Sequence, residues 1–235
     1  MIDEEQLKSN ISTVRERIRQ AAEQSGRSFS DIMLVGAVKT MPSELIARAM
    51  PYLYAAGENR VNELEKNFEQ DAYRGGKVHF IGHLQTNKVK KVAGRVELIQ
   101  SVGSVHLAQC ISDYMEKTGK VQDILIEVNI GREQSKSGVL PEQLDELVVK
   151  TACMSGVHIK GIMAIPPVCE KKSDSQIYFS KLYQLFIDIE GKKYDNVNMD
   201  ILSMGMSCDY YEAILSGANM VRVGSAIFGK REAAI

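Results

Sequence analysis

The sequence predicts an α/β protein, a single TIM (β/α)8 barrel with an additional N-terminal helix. Two observations carry this prediction. Strand-like runs alternate with helical segments about eight times, and the runs are almost continuously apolar, as in parallel strands covered on both faces. The length of 235 residues suits one barrel, so we expect residues 1–235 to form a single domain. A doubly wound open sheet is the alternative, but no GxGxxG motif follows the first strand.

The chain opens with an amphipathic helix that precedes the barrel. Leu7, Ile11, Val14 and Ile18 recur at helical spacing, and Asp3 is placed to cap the first turn. This helix is the additional N-terminal element of the predicted fold.

Eight apolar runs follow, and most of them end at Gly, Pro or polar residues. The predicted strands are residues 32–38, 52–59, 77–83, 97–104, 121–130, 157–167, 198–207 and 220–229. The segments between them carry helical spacing or helix starts such as Pro42. The helix before the seventh strand is long, and its spacing predicts one apolar face formed by Ile177, Leu182, Leu185 and Phe186.

Composition excludes several classes of partner. The chain has 29 Lys and Arg against 30 Asp and Glu, so no strong field favours nucleic acid. No apolar run reaches membrane-spanning length and the N-terminus lacks a secretory signal, so we expect a soluble cytoplasmic protein with a small-molecule partner. The four cysteines have no metal-ligand spacing and are expected to be reduced thiols: Cys110, Cys153, Cys169 and Cys208.

The first strand ends on Lys39, which is out of pattern after the apolar run 32–38. In parallel α/β folds the carboxyl ends of the strands form the ligand-binding face. A lysine partly removed from water there loses some preference for its proton and becomes an amine nucleophile that can form a Schiff base. The alternative is a structural lysine that simply reaches solvent as the strand ends.

A phosphate site is predicted at the ends of strands seven and eight. Gly205, Met206 and Ser207 close the seventh strand, and Gly224 and Ser225 lie in the eighth. Glycines let backbone N–H groups approach an anion, serines add hydroxyl donors, and TIM barrels often hold phosphate in these two loops. Ordinary turns or tight packing are the alternative explanation for any single glycine.

Three further polar residues are placed on the same predicted rim. Arg222 alternates with Val221 and Val223, so its side chain is predicted to point into the barrel, where it needs a carboxylate or a ligand acceptor. Asn59 ends the second strand and His83 ends the third. For these two, loop capping or local hydrogen bonding is the alternative.

Six segments of the chain form a set that is spread over almost its whole length. They are LVGAVKT, GENRVNE, HFIGHLQTNK, GIMAIPP, LSMGMSCD and VRVGSAIFG. Together and in this order they resemble the pyridoxal phosphate homeostasis protein family. The resemblance implies an alanine-racemase-like TIM barrel that carries pyridoxal 5′-phosphate (PLP) on Lys39 as a Schiff base. Val38 stands where relatives more often have Ser, which removes no required functional group.

The resemblance also implies a set of cofactor-binding residues. Arg222 is placed at the pyridine nitrogen and Asn59 near the ring. The residues placed at or near the phosphate are Ser203, Met206, Ser207, Gly224 and Ser225. No metal site is implied.

The implied function is PLP homeostasis, in which the protein buffers PLP and delivers it to apo PLP-dependent enzymes, as a monomer or weak dimer. An arginine at the ring nitrogen makes the cofactor a weaker electron sink. Two-base racemisation also needs a second acid or base, which racemases of this barrel type take from an additional domain. We therefore expect no catalytic residue. A weak racemase-like enzyme is the alternative, and an aldolase-like phosphosugar enzyme using Lys39 fits the barrel but not the six segments.

Overall fold

The computed structural model describes residues 2–167 and 172–229. Within these ranges eight parallel strands close into a barrel in the order of the sequence. The strands are β1 (Met33–Ala37), β2 (Ala55–Glu58), β3 (Val78–Phe80), β4 (Leu98–Val102), β5 (Gln122–Glu127), β6 (Val157–Met163), β7 (Val197–Ser203) and β8 (Met220–Val223).

Closure distinguishes this barrel from the open sheet considered as the alternative. β1 pairs with β2 on one side, where Ala37 lies opposite Gly57, and with β8 on the other, where Gly36 lies opposite Val223. The prediction of a TIM barrel is confirmed, and the doubly wound alternative is wrong.

Helices cover the outside of the barrel and connect its strands. They are α1 (Glu4–Gln24), α2 (Ser43–Ala49), α3 (Val61–Glu69), α4 (Val89–Val92), α5 (Val105–Lys117), α6 (Leu144–Ala152), α7 (Lys172–Lys192), α8 (Tyr210–Leu215) and α9 (Ser225–Phe228). Short 3-10 turns at Phe29–Asp31, Met50–Tyr52, Thr86–Lys88 and Pro141–Gln143 lead into or out of neighbouring elements.

The additional N-terminal helix is α1. Asp3 caps it by accepting a hydrogen bond from the N–H of Gln6 at 2.7 Å. Its predicted apolar face, with Leu7, Val14 and Ile18, is buried, and the helix packs against α8 and α9. The helix therefore covers the barrel where β8 returns to β1.

Apolar side chains fill two layers, because a parallel barrel strand is covered on both faces. The outer layer lies between strands and helices and includes Ile46, Leu64 and Phe80. The inner layer lies inside the barrel and is formed by Val35, Ala55, Leu98, Leu125, Met163 and Met220. Alternate residues of a strand face inward, so the residues two and four positions after these side chains also face the barrel interior. They lie nearer the mouth, which is the opening of the barrel at the carboxyl ends of the strands.

Two local predictions differ from the structure. Residues 220–229 were expected to be one strand, but β8 ends at Val223 and residues 225–228 form the short helix α9, which buries Ile227 and Phe228. In α7, Ile177 is 56% exposed, and the buried face is formed by Phe179, Leu182, Phe186 and Ile189. Helical spacing alone predicts Ile177 on the buried face. The structure instead buries Phe179, and this orientation of the helix turns Ile177 toward solvent.

In the part of the chain that the structure describes, no helix is long and apolar enough to cross a membrane. The same ranges contain no group of three His, Cys, Asp or Glu side chains placed to hold a metal ion. Cys110 and Cys153 are free thiols, and Cys169 lies outside the described residues.

Candidate functional site

The predicted site residues lie along the inward-facing rows of three neighbouring strands. Lys39 is two residues beyond the end of β1 and continues the row of Val35, and it is half-buried. Asn59 continues the row of Ala55 directly after β2, and Arg222 follows Met220 in β8. The alternation of a strand thus directs all three positions to the mouth of the barrel.

The backbone directly after Lys39 has an unusual conformation. Thr40 has φ of +65°, in the left-handed region that β-branched residues rarely adopt. Its N–H donates to Oε2 of Glu63 at 2.9 Å, and its hydroxyl donates to the carbonyl oxygen of Lys39 at 2.6 Å. Glu63 lies in the first turn of α3. Helix α3 therefore fixes the turn that carries Lys39. The sequence did not predict a role for Thr40 or Glu63, because neither residue type is typical of a turn with positive φ.

Arg222 is buried inside the barrel and hydrogen bonded on two sides. Its Nη1 donates to Oγ of Ser203, and its Nη2 donates to the carbonyl oxygen of Ala164 at 2.8 Å. These partners come from the ends of β7 and β6, so the guanidinium plane is fixed by two neighbouring strands. The prediction that Arg222 points into the barrel agrees with this arrangement.

The contacts of Arg222 continue as a chain of buried hydrogen bonds across the barrel. Ser203 donates from Oγ to Oε1 of Gln100 at 2.7 Å, and Nε2 of Gln100 lies 3.0 Å from Nδ1 of His79. Burial lowers the pKa of His79 to about 3, so its ring is neutral at physiological pH. Nδ1 then accepts from the Gln100 amide, and every bond runs in one direction from Arg222 to His79.

This chain of hydrogen bonds bears on the predicted role of Ser203. The resemblance places Ser203 at or near the phosphate, whereas its hydroxyl here serves Arg222 and Gln100. Gln100 and His79 were not among the predicted site residues. A polar residue in the middle of the apolar runs of β3 and β4 was the signal that could have found them.

The positive charge of Arg222 is balanced by two carboxylates that are not hydrogen bonded to it. Burial lowers the pKa of the Arg222 guanidinium to about 10, and the negative charges of Glu127 and Asp209 oppose that shift. Burial also raises the pKa of Glu127, at the end of β5, and of Asp209, which follows β7. Arg222 therefore stays protonated at neutral pH, and it does so without a direct ion pair among the described residues.

The loops after β7 and β8, where the sequence predicts a phosphate site, meet through hydrogen bonds at Ser207. Oγ of Ser207 accepts from the N–H of Gly224 at 3.1 Å and from that of Ala226 at 3.3 Å. A Cβ built on Gly224 lies 3.2 Å from the carbonyl oxygen of Ala37, so this position leaves little room for a side chain beside β1. Ser225 is exposed at the same turn. Hydroxyl and backbone donors thus gather in one seat, next to the strand that carries Lys39.

Met206 and Gly205 shape the other side of this seat. The N–H of Met206 donates to Oδ1 of Asp209 at 2.7 Å, which closes a tight turn. Gly205 has φ of +91°, and a Cβ there lies 2.5 Å from Cβ of Ala213. Glycine is therefore required for the turn to pack against α8, and Met206 and Ser207 are held at the mouth.

The donor set fits PLP, the cofactor implied by the resemblance. The mouth offers a primary amine at Lys39, a fixed cationic donor at Arg222, and a seat at Ser207 and Gly224 that suits a dianion. Oδ1 of Asn59 is buried and has no hydrogen-bond partner among the described residues. An unsatisfied buried oxygen at the mouth is consistent with a ligand donor placed beside it.

Comparisons with known proteins show the family to which this chain belongs. The family model described as alanine racemase, N-terminal domain, matches residues 2–232. The pyridoxal phosphate homeostasis protein of Aquifex aeolicus is 44% identical over 223 residues, which are 94% of this chain and 97% of that protein.

Two solved structures are also similar to this chain. An unknown protein from Bifidobacterium adolescentis superposes with a TM-score of 0.90 at 32% identity, covering 97% of this chain and 98% of that one. PipY of Synechococcus elongatus, solved with PLP bound, superposes with a TM-score of 0.78 at 26% identity, covering 92% of this chain and 100% of that one. With its closed barrel and its lysine at the end of β1, this chain belongs to the pyridoxal phosphate homeostasis protein family, whose barrel is that of the alanine racemase N-terminal domain.

Proposed function

We propose that this chain binds PLP covalently through Lys39 and acts in PLP homeostasis as a carrier that buffers and delivers the cofactor. The observation that carries the proposal is the shared mouth, where a half-buried lysine, a buried arginine and a serine–glycine seat meet at the ends of neighbouring strands. The PLP bound to PipY and the name of the Aquifex aeolicus relative support it.

Each group of the mouth has a distinct part in holding the cofactor. When bound, PLP supplies an aldehyde that bonds to a primary amine and a phosphate that carries two negative charges. Lys39 supplies the amine, and the turn at Thr40 fixes its backbone. The hydroxyl groups of Ser207 and Ser225 supply donors for the phosphate, Gly224 leaves room beside β1, and Met206 lies on the other side of the seat.

Arg222 favours a carrier over an efficient enzyme. A guanidinium only donates hydrogen bonds, and at neutral pH it keeps its proton. Arg222 would therefore donate a hydrogen bond to a pyridine nitrogen placed against it and would not be a carboxylate partner that favours a protonated ring. Without that ring proton the cofactor would withdraw fewer electrons from a bound amine, so catalysis at the amine would be slow.

A weak racemase-like enzyme is the second candidate, and the match to the alanine racemase N-terminal domain favours it. The two candidates share the lysine and the phosphate seat, so binding alone does not separate them. Turnover does, because racemisation needs an acid and a base, each worth about 10²–10⁴-fold in rate.

The partners in this proposal are PLP and the apo PLP-dependent enzymes that receive it. We assign residues 1–235 to one cofactor-binding unit that acts in the cytoplasm as a monomer or weak dimer. The balanced charge of 29 basic and 30 acidic residues supports a small-molecule partner over nucleic acid.

The experiment that tests the covalent site is borohydride reduction of the PLP-saturated protein, followed by peptide mapping. The adduct is expected on Lys39 and absent from the Lys39→Ala variant, which should fold normally because a half-buried residue at a strand end contributes little to the core. Lys90→Ala, which removes an exposed lysine of α4, serves as the matched control and should keep the adduct. An adduct on another lysine only, or none, contradicts the assignment.

A further inference from the structure

A cavity opens at the carboxyl ends of the strands, the end of the barrel where Lys39 also lies. It has a volume of about 590 Å³ and lies over the ends of β3, β4 and β5. We call it the side cleft. Its lining includes His83, Ser101, Ser104, Glu127, Ser137 and Gly138. None of the residues assigned to PLP lines it.

Glu127 is the one acidic group among the described residues that line the side cleft. It continues the inward-facing row of Leu125 at the end of β5, and only 7% of the residue is exposed. Its carboxylate makes no hydrogen bond within residues 2–167 and 172–229. Burial raises the pKa of Glu127, while the charge of Arg222 opposes that shift. A buried carboxylate without a hydrogen-bond donor is costly and calls for one.

The neighbours of Glu127 in the side cleft do not supply that donor. Ser101 gives its single hydroxyl proton to the carbonyl oxygen of Gly82 at 2.5 Å, so only its lone pairs remain available. Oγ of Ser137 is paired with Nδ1 of His83 at 3.0 Å. The hydroxyl of Ser104 accepts from the N–H of Leu107 and caps α5. None of these groups is hydrogen bonded to the carboxylate of Glu127, although the hydroxyl proton of Ser104 and the side-chain donors of Gln85, Thr86 and Asn87 also line the cleft.

Lys136, in the loop after β5, is also engaged elsewhere. Nζ of Lys136 donates to the carbonyl oxygen of Pro166 at 3.1 Å and pairs with Glu133. No Lys or Arg is found among the described residues that line the side cleft. The described lining of the cleft thus presents one carboxylate among neutral polar groups, with no lysine or arginine to balance its charge there.

We propose that the side cleft binds a primary ammonium group, with Glu127 as its carboxylate partner. An ammonium is compact, carries three N–H donors, and pairs with a carboxylate while its remaining donors reach acceptor oxygens such as Ser101. The ammonium belongs to a small free amine or to a lysine side chain, since both present the same group. This site goes beyond the proposed function and does not depend on the bond at Lys39.

The test is isothermal titration of the PLP-free protein with propylammonium chloride at low ionic strength. Glu127→Gln keeps the shape and removes the charge, so it should weaken binding by about tenfold or more. Glu127→Asp keeps the charge and should bind more tightly than the Gln variant. Glu69→Gln, which removes an exposed carboxylate at the end of α3, is the matched control and should bind like the unaltered protein.

Two further titrations identify the chemistry of the ligand. L-alanine and Nα-acetyl-lysine amide present the ammonium of a free amino acid and of a protein lysine, and binding of either one supports the site and names its source. Tetramethylammonium has no N–H donor and should not bind. Equal binding of tetramethylammonium or potassium, equal binding to Glu127→Gln, or no binding of any amine overturns the proposal. Should Glu127→Gln fail to fold, the Asp variant and the tetramethylammonium comparison still decide the outcome.

Discussion

At the scale of single residues, Thr40 is the position where the backbone departs most from its ordinary preference. Of the non-glycine residues with positive φ in the described chain, it alone is β-branched. Such a conformation costs about 1–3 kcal/mol and persists only where neighbouring groups hold it. Glu63 holds this conformation by accepting a hydrogen bond from the Thr40 N–H. The strained residue directly follows Lys39, so the same contact fixes the backbone of Lys39.

A first prediction concerns this contact. Glu63→Ala removes the acceptor of the Thr40 N–H, which should loosen the backbone of Lys39 and weaken PLP retention by about 1 kcal/mol, or roughly fivefold. Glu63→Gln keeps an acceptor oxygen and should retain PLP better than the Ala variant. The measurement is the PLP dissociation constant from absorbance titration. Equal retention by all three proteins would show that the turn does not position Lys39.

A second prediction separates two serines that the family resemblance placed together at the phosphate. Ser203 is fully buried between Arg222 and Gln100, so Ser203→Ala should lower the free energy of unfolding by about 1–3 kcal/mol. Ser207 is half-buried beside Gly224, so Ser207→Ala should mainly weaken PLP retention, by about 1–3 kcal/mol. Chemical denaturation and PLP titration of both variants provide the two readouts. The opposite pattern contradicts the structure's division of roles.

A third prediction concerns pH and His79. Burial lowers the folded-state pKa of His79 to about 3, below the ordinary value of about 6.5, so the unfolded chain binds the extra proton first. Stability from this group is complete above about pH 6.5 and is lost as pH falls toward 3, at up to roughly 1.4 kcal/mol per pH unit.

The His79→Gln variant isolates this effect, because a glutamine oxygen can still accept from Gln100. Unfolding free energies of both proteins are measured between pH 7 and pH 4. The difference in unfolding free energy between the unaltered protein and the variant should shrink as pH falls. The unaltered protein loses the stability that neutral His79 contributes, and the variant has no histidine to lose. A constant difference over this range rules out a buried neutral His79.

At the scale of elements, the sequence predicted which elements exist better than it predicted where they end. All eight strands lie inside the predicted runs or within one residue of them, because parallel barrel strands need apolar residues on both faces. The runs continue past the strands, since residues after a strand also bury apolar side chains. Ile227 and Phe228 do so in α9, where period-2 and helical patterns cannot be told apart over four residues.

The candidate site was predictable to the same extent. Lys39 and Arg222 stood out because a charge interrupts an apolar run, and Gly224 and Ser207 followed from the usual place of phosphate in a barrel. The pairing of Ser203 with Gln100 was not predictable, because it joins residues 103 positions apart. The left-handed turn at Thr40 was not predictable either, because it depends on the position of α3.

At the scale of the whole molecule, barrel closure brings the site together. β1 lies between β2 and β8, so Lys39, Asn59 and Gly224 come from three adjacent strands although residues far apart in the sequence supply them. Closure also places Glu127, on β5, across the interior within reach of the charge of Arg222. Closure therefore gathers the predicted cofactor-binding residues and the side cleft at one end of the barrel.

The central claim is that the protein delivers PLP and does not turn over a substrate at enzymatic rates. The most direct measurement mixes PLP-loaded protein with an apo PLP-dependent enzyme and follows the activity regained by the recipient, with amino-acid turnover by the loaded protein measured in parallel. Recipient activity should rise in step with PLP lost from the carrier, and Lys39→Ala protein treated with PLP and then desalted should transfer none. Absence of transfer, together with turnover near the common enzymatic value of roughly 10 s⁻¹ on any amino acid, would contradict the account.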